Sequence, residues 1–160
     1  PTQRRPYVSW LIIAACIMVF FWQESLTLAQ EREAIFQLGF IPANASGIAP
    51  LPADSALLPA WVTIFTSMFL HGDWMHIGGN ILYLWIFGDN VEESMGRIKF
   101  ILFYALCGIA AALAQSAIDP ASRIPMIGAS GGIAGILGAY LILHPKAAIR
   151  TFVLIIFFFR

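Results

Sequence analysis

Ser130 stands among four glycines in the run Met126-Ile127-Gly128-Ala129-Ser130-Gly131-Gly132-Ile133-Ala134-Gly135. Gly128 and Gly131 have no side chains to cover its hydroxyl, and an apolar run over 133–143 follows, which predicts a serine at the mouth of a helix. First-turn N–H groups have no intrahelical acceptor and the macrodipole is positive there, so an anion forming beside Ser130 would be stabilised. An attacking hydroxyl beside a ready anion site is half of an acyl-transfer machine. His76 and Asn80 form the second polar group. Four residues apart, they share one helix face about a turn from each other, and polar groups within apolar segments are costly and usually functional. Hydrogen bonding between helices, as packing glue, is the alternative for such a pair. A glycine-flanked serine at matching depth favours chemistry.

The elements that must position these residues are membrane spans. Of 160 residues, 59% are hydrophobic and 11% charged, with a mean hydropathy of +0.79, whereas soluble domains carry about 25% charged residues. The formal net charge is zero and the nine Lys and Arg are scattered through apolar runs, which excludes a basic nucleic-acid surface. Cys16 and Cys107 lie within apolar segments and read as small core residues, not as a disulfide or metal pair. Spans are expected at about 8–28, 74–90, 100–118 and 128–143, with the start of a fifth at 151. The first reads as an anchor that stays, because it ends in Trp22-Gln23-Glu24 and not in a small-residue cleavage site. Trp10 and Trp22 sit where an aromatic belt would lie.

Residues 29–73 read as a long external loop, broken by Pro42, Pro50, Pro52 and Pro59 and partly immersed through Ile35, Phe36, Leu38, Phe40 and Ile41. Within it, 61–70 is too short to span and reads as a shallow segment running into the second span. Residues 92–99 form a polar turn and 119–125 a polar loop. Asp73, Glu24 and Glu33 read as solvated charges. A cytoplasmic N-terminus puts Arg4, Arg5, Arg97, Lys99, Lys146 and Arg150 inside and only Arg32 and Arg123 outside. Ser130, His71 and His76 then lie toward the external half of the membrane. The class is an all-α polytopic transmembrane helical bundle.

His71-Gly72-Asp73-Trp74-Met75-His76-Ile77-Gly78-Gly79-Asn80, followed by Gly128-Ala129-Ser130-Gly131, resembles the rhomboid intramembrane serine proteases. The likeness covers the H-x-x-x-x-H-x-x-x-N pattern, the G-x-S-G motif, the long first external loop and the acidic-to-arginine turn from Glu92 to Arg97. It implies that Ser130 is the nucleophile, that His76 and Asn80 with the backbone N–H of Ser130 and of Ala129 form an oxyanion hole, and that His71 supports that site. The family's general base is a histidine on a sixth span, which these 160 residues do not reach. His144 lies fourteen residues beyond Ser130 on one helix, roughly 21 Å away, and cannot replace it. Residues 1–160 are therefore expected to be the N-terminal part of a single rhomboid-like domain, inactive alone, within an intact protease.

The partners implied are transmembrane protein substrates and the lipid bilayer, in a multi-pass protein of a bacterial inner membrane; no cofactor is implied. A metal site is not expected, since His71 and His76 are five apart and not on one helix face. A rhomboid-like protein that handles membrane clients without cutting them is the rival reading. A transporter would show repeated broken spans, and the sequence has no such repeat.

Overall fold

The computed structural model describes residues 5–52 and 57–146. Within them the chain is all-α: α1 (Tyr7–Glu24), α2 (Leu28–Leu38), α3 (Pro42–Ala45), α4 (Ala60–Ser67), α5 (Trp74–Met95), α6 (Arg97–Ile118) and α7 (Ser130–Leu143). Several boundaries differ from those read in the sequence. The first span ends at Glu24, short of 28, because Thr27 starts a new helix through a capping box. Its hydroxyl accepts from the Gln30 N–H at 3.4 Å, and Gln30 Oε1 accepts from the Thr27 N–H at 3.0 Å. About half of the region 29–73 is helical, as α2, α3 and α4. Two of its prolines start helices: Pro42 is the first residue of α3 and Pro59 immediately precedes α4, positions where a missing N–H costs little.

Residues 68–73 separate α4 from α5, so the shallow segment does not run on as one helix. The expected polar turn at 92–99 is helical on both sides of Gly96, whose φ of +81° is one that glycine adopts without a Cβ penalty. The fifth span expected from 151 lies outside the described residues.

The core forms where α5, α6, α7 and α1 meet, around Phe20, Leu84, Val91, Phe100 and Ile136. Glycines set how closely α6 and α7 approach: Gly131 lies against Ala111, Gly132 against the Tyr104 ring and Gly135 against Cys107, the small-residue packing that membrane helices use in place of a hydrophobic driving force. The outside of the bundle is apolar as well. Trp85 is 67% exposed, Leu106 62% and Ile142 80%, a surface suited to lipid, in which an exposed apolar side chain carries no solvation penalty. Among the described residues, α1 and α6 are long and apolar enough to cross a membrane.

Among the described residues, one carboxylate is internal. Glu92 of α5 is 2% exposed and accepts from the Val8 N–H at 3.0 Å, the Ser9 N–H at 2.8 Å and the Ser9 hydroxyl at 2.9 Å. These are first-turn donors of α1, a helix with no side-chain cap of its own. A neighbouring helix therefore supplies the cap, with its negative charge at the positive end of the dipole.

The segments outside the long helices are sewn to one another. Phe40 and Met126 exchange backbone hydrogen bonds of 3.1 and 2.7 Å, the Ala43 N–H reaches the Ser122 carbonyl at 2.9 Å, and the Ser46 hydroxyl reaches the Pro120 carbonyl at 2.9 Å. The Thr66 hydroxyl donates to the Leu38 carbonyl at 2.5 Å. These segments thus satisfy their backbone groups against each other, and they lead directly to Ser130.

Candidate active site

Ser130 is the first residue of α7, and it is exposed. Ala129 precedes it, 1% exposed, and α7 has no side-chain cap, so its first-turn N–H groups point outward without a side-chain acceptor. Gly128 has φ +115°, and its N–H is held by the Ser67 carbonyl at 2.8 Å. A Cβ built on Gly128 would lie 2.6 Å from His76 Nε2. Glycine at 128 therefore does two things: it permits the turn, and it lets the backbone before Ser130 rest on an imidazole edge.

His76 lies in the first turn of α5. Its backbone N–H donates to Asp73 Oδ1 at 2.8 Å, so Asp73, read from the sequence as a solvated charge, is exposed but also caps the helix that carries His76. The Gly72 N–H donates to His76 Nδ1 at 3.4 Å. That contact assigns the ring proton to Nε2, the atom facing Gly128, and makes His76 a donor toward the serine turn. Asn80, one turn further along, is 9% exposed and gives one Nδ2 hydrogen to the His76 carbonyl at 2.9 Å. A carboxamide has two such hydrogens, so the second remains for another acceptor.

His71 is in the connection between α4 and α5, fully buried. Its Nδ1 bonds the Phe69 carbonyl at 3.1 Å, and its Nε2 has no partner among the described residues. Burial pushes its pKa down from 6.5 to about 4, so the ring is neutral with the proton on Nδ1. Gln23, at the end of α1, locks this residue from both sides. Its Oε1 accepts from the His71 N–H and its Nε2 donates to the His71 carbonyl, both at 3.0 Å.

The His71 and His76 rings meet at 5.1 Å between centroids, inclined at 66°. Their spacing gives them no common helix face, and the loop before α5 brings the two rings together. No group of three His, Cys, Asp or Glu able to hold a metal occurs among the described residues. His144 caps the far end of α7, its ring 4.9 Å from that of Tyr140, so it is remote from Ser130. Beside the serine a cavity of about 370 Å³ opens between Ser67, Met68, Gly108, Ala111 and Gly128.

Two contributors were not singled out from sequence. Gln23 and Ser67 act through backbone partners 48 and 61 positions away. Only Gln23 leaves a trace in the sequence, as an amide at the end of an apolar span. Glu92, part of the acidic-to-arginine turn of the sequence resemblance, caps α1 and not the serine site.

Apolar helices with an apolar exterior, carrying Ser130 at the start of α7 and His76 and Asn80 near the start of α5, suit an integral membrane protein. The Rhomboid domain pattern matches residues 59–159, and the chain belongs to the rhomboid family. It is 30% identical to rhomboid protease GluP of Bacillus subtilis over 139 residues, covering 86% of this chain and 24% of the relative. It is 34% identical to mitochondrial Rhomboid protein 1 of Saccharomyces cerevisiae over 96 residues, 58% of this chain and 28% of the relative. Rhomboid protease GlpG of Salmonella newport matches at 24% over 139 residues, 87% of this chain and 44% of the relative. The chain thus spans about a quarter of the length of the first two relatives. The family relationship makes this a membrane protein of a protease family.

Proposed function

We propose that the intact protein is an intramembrane serine protease that hydrolyses peptide bonds in other transmembrane helices, and that residues 1–160 form the N-terminal part of its single membrane domain. The observation that carries this reading is the exposed Ser130 at the uncapped start of α7, with His76 Nε2 against the turn that precedes it. Ser130 Oγ attacks the substrate carbonyl carbon and a base removes its proton. The negative charge that gathers on the carbonyl oxygen is met by the N–H groups of Ser130 and Ala129, by His76 Nε2–H and by the spare Asn80 N–H. Collapse expels the amine, which takes up the proton, and leaves an acyl group on Ser130 that water then removes. His71 acts through His76, packing edge-on against it.

None of the three histidines suits the base. His76 is oriented as a donor, His71 is buried with Nδ1 engaged, and His144 is at the other end of α7. We assign the base to a histidine beyond residue 160, so the fragment 1–160 alone is inactive. Depth supports the intramembrane reading. With 14 residues, α7 is roughly 21 Å long at 1.5 Å per residue, against a hydrocarbon core of about 30 Å. With its His144 end at the cytoplasmic boundary, Ser130 lies below the external surface. Arg5, Arg97, Lys99 and Lys146 favour that orientation, N-terminus inside, in a bacterial inner membrane.

The test is cleavage of a transmembrane-helix substrate by the purified full-length protein and by its Ser130→Ala variant. Cleavage by the parent, absent in the variant, is the expected result. If the parent cuts none of several substrates and takes no fluorophosphonate label at Ser130, the reading fails in favour of a protein that binds membrane clients without cutting them.

A further inference from the structure

Two cavities lie one above the other along the crevice where α1 and α6 face each other, and the serine site uses neither. The first, about 600 Å³, opens at the N-terminal ends of both helices between Arg5, Pro6, Gly96, Arg97 and Lys99, with Glu92 and Glu93 on its other wall. The second, about 340 Å³, begins within a turn of it. Leu11, Ile12 and Ala15 of α1 line it together with Ile101 and Ala105 of α6, and Met68 after α4 closes its far end. Its lips are exposed apolar residues, Leu11 at 68% and Ile101 at 50%, so it opens sideways.

The two compartments differ in chemistry as the two parts of a phospholipid do. At the mouth, the Arg97 guanidinium is stacked over the Tyr7 ring at 4.6 Å, which holds a cation at the crevice and leaves its in-plane N–H groups to the edges of the stack. Arg5 and Lys99 are exposed beside it. Of the facing carboxylates, Glu92 turns both oxygens inward to Val8 and Ser9, and Glu93 is already engaged. From Arg97 to Ala105 is eight residues of helix, about 12 Å, most of the roughly 15 Å depth of one leaflet's hydrocarbon. A free phosphate would leave the apolar groove empty, and a neutral lipid would leave unmatched the excess of three cations over two carboxylates at the mouth.

We infer that the α1–α6 crevice is a binding site for one anionic phospholipid of the leaflet facing the helix N-termini, its phosphate between Arg97, Lys99 and Arg5 and one acyl chain along Leu11, Ile101 and Ala105. The inference stands independently of the proteolytic reading. Because the groove ends at Met68, and Phe69 on its wall accepts from His71 Nδ1, the chain of the bound lipid supports the segment that carries His71.

The experiment is native mass spectrometry of the delipidated full-length protein in detergent, titrated with equal concentrations of dioleoyl phosphatidylglycerol or dioleoyl phosphatidylcholine. A single phosphatidylglycerol is expected to be retained at least five-fold more than phosphatidylcholine. Lys99→Gln combined with Arg97→Gln should bring it to the phosphatidylcholine level, and Ala105→Phe should lower it by filling the groove. Lys99 and Leu11 are exposed, so Lys99→Gln and Leu11→Asn provide head and chain tests that do not depend on core packing. Equal retention of the two lipids, or unchanged retention in the charge variants, would mean an unspecific lipid annulus. Displacement by glycerol phosphate would mean a site for a free anion; either result overturns the inference.

Discussion

Glu92→Gln should destabilise the bundle by about 2–4 kcal/mol without touching the serine site. The carboxylate serves three donors: Oε1 takes the Val8 N–H, while Oε2 takes the Ser9 N–H and hydroxyl. A carboxamide of the same shape has one oxygen. Turned the better way, with its oxygen toward Ser9, it sets an NH₂ against the Val8 N–H and orphans one buried donor, a cost of about 1–3 kcal/mol. The two bonds that remain lose their charge assistance, roughly half their strength, or about 1 kcal/mol between them. The negative charge at the start of α1 goes too, worth about 0.3–1 kcal/mol. Water entering from the neighbouring cleft offsets part of the sum, hence the lower bound. The assay is reversible unfolding of the purified protein in mixed micelles, followed by far-UV circular dichroism. Ser9→Ala, which removes only the hydroxyl bond, should cost about 1 kcal/mol, and the double variant should fall short of additivity because the two residues share a contact. An unfolding free energy for Glu92→Gln within about 0.5 kcal/mol of the parent would refute the cap as described.

Gly128→Ala should combine two penalties. Backbone strain at φ +115° costs on the order of 1–3 kcal/mol, and the new methyl displaces His76 Nε2, so cleavage by the full-length protein should fall at least ten-fold, beyond what the loss of folded protein explains; an active Gly128→Ala enzyme would contradict the contact. Acid should weaken the fold through His71. The unfolded chain takes up a proton near 6.5 and the buried ring only near 4, so between those values the unfolded state holds more protons and stability falls as pH falls, with a slope of up to about 1.4 kcal/mol per pH unit from this group. In His71→Asn that part of the slope should vanish, measurable as the pH dependence of the unfolding midpoint of parent and variant.

The helices were legible because their signals are local. Long apolar runs mark α1 and α6, and the glycine-rich segment ahead of an apolar stretch marks the start of α7. Thr27 and Gln30 also spell a capping box, yet the apolar continuation to Leu28 masks it, and the apolar pattern overruns the end of α1 by four residues. Ser130, His76 and Asn80 could be singled out from residue type and spacing, since a serine between glycines and an i, i+4 polar pair are patterns within one element. What holds them was not legible. The contact of Gly128 with His76, the grip of Gln23 on His71 and the placement of Glu92 under α1 join residues between 48 and 84 positions apart, and no periodicity encodes such a pairing. Proline misled in the first loop for a related reason: a breaker within a helix is a starter at its first position, and composition does not distinguish the two.

The position of the Ser130 hydroxyl is set less by α7 than by what precedes it. A helix start without a side-chain cap has little to fix its first residue, and here the preceding backbone is anchored instead, by Gly128 to Ser67 and by Met126 to Phe40. Both anchors lie in the segment 38–67, which is itself tied together by Thr66 and Leu38. That segment presents Trp61 and Phe65 outward, 67% and 40% exposed, at the face where an apolar surround is most favourable. The chain of contacts from Phe65 through Ser67 to Gly128 is short, only three residues and one hydrogen bond. Seating of α4 in its surroundings and placement of the serine turn are therefore coupled, and a change that lifts α4 strains the Ser67–Gly128 hydrogen bond on the turn that rests against His76.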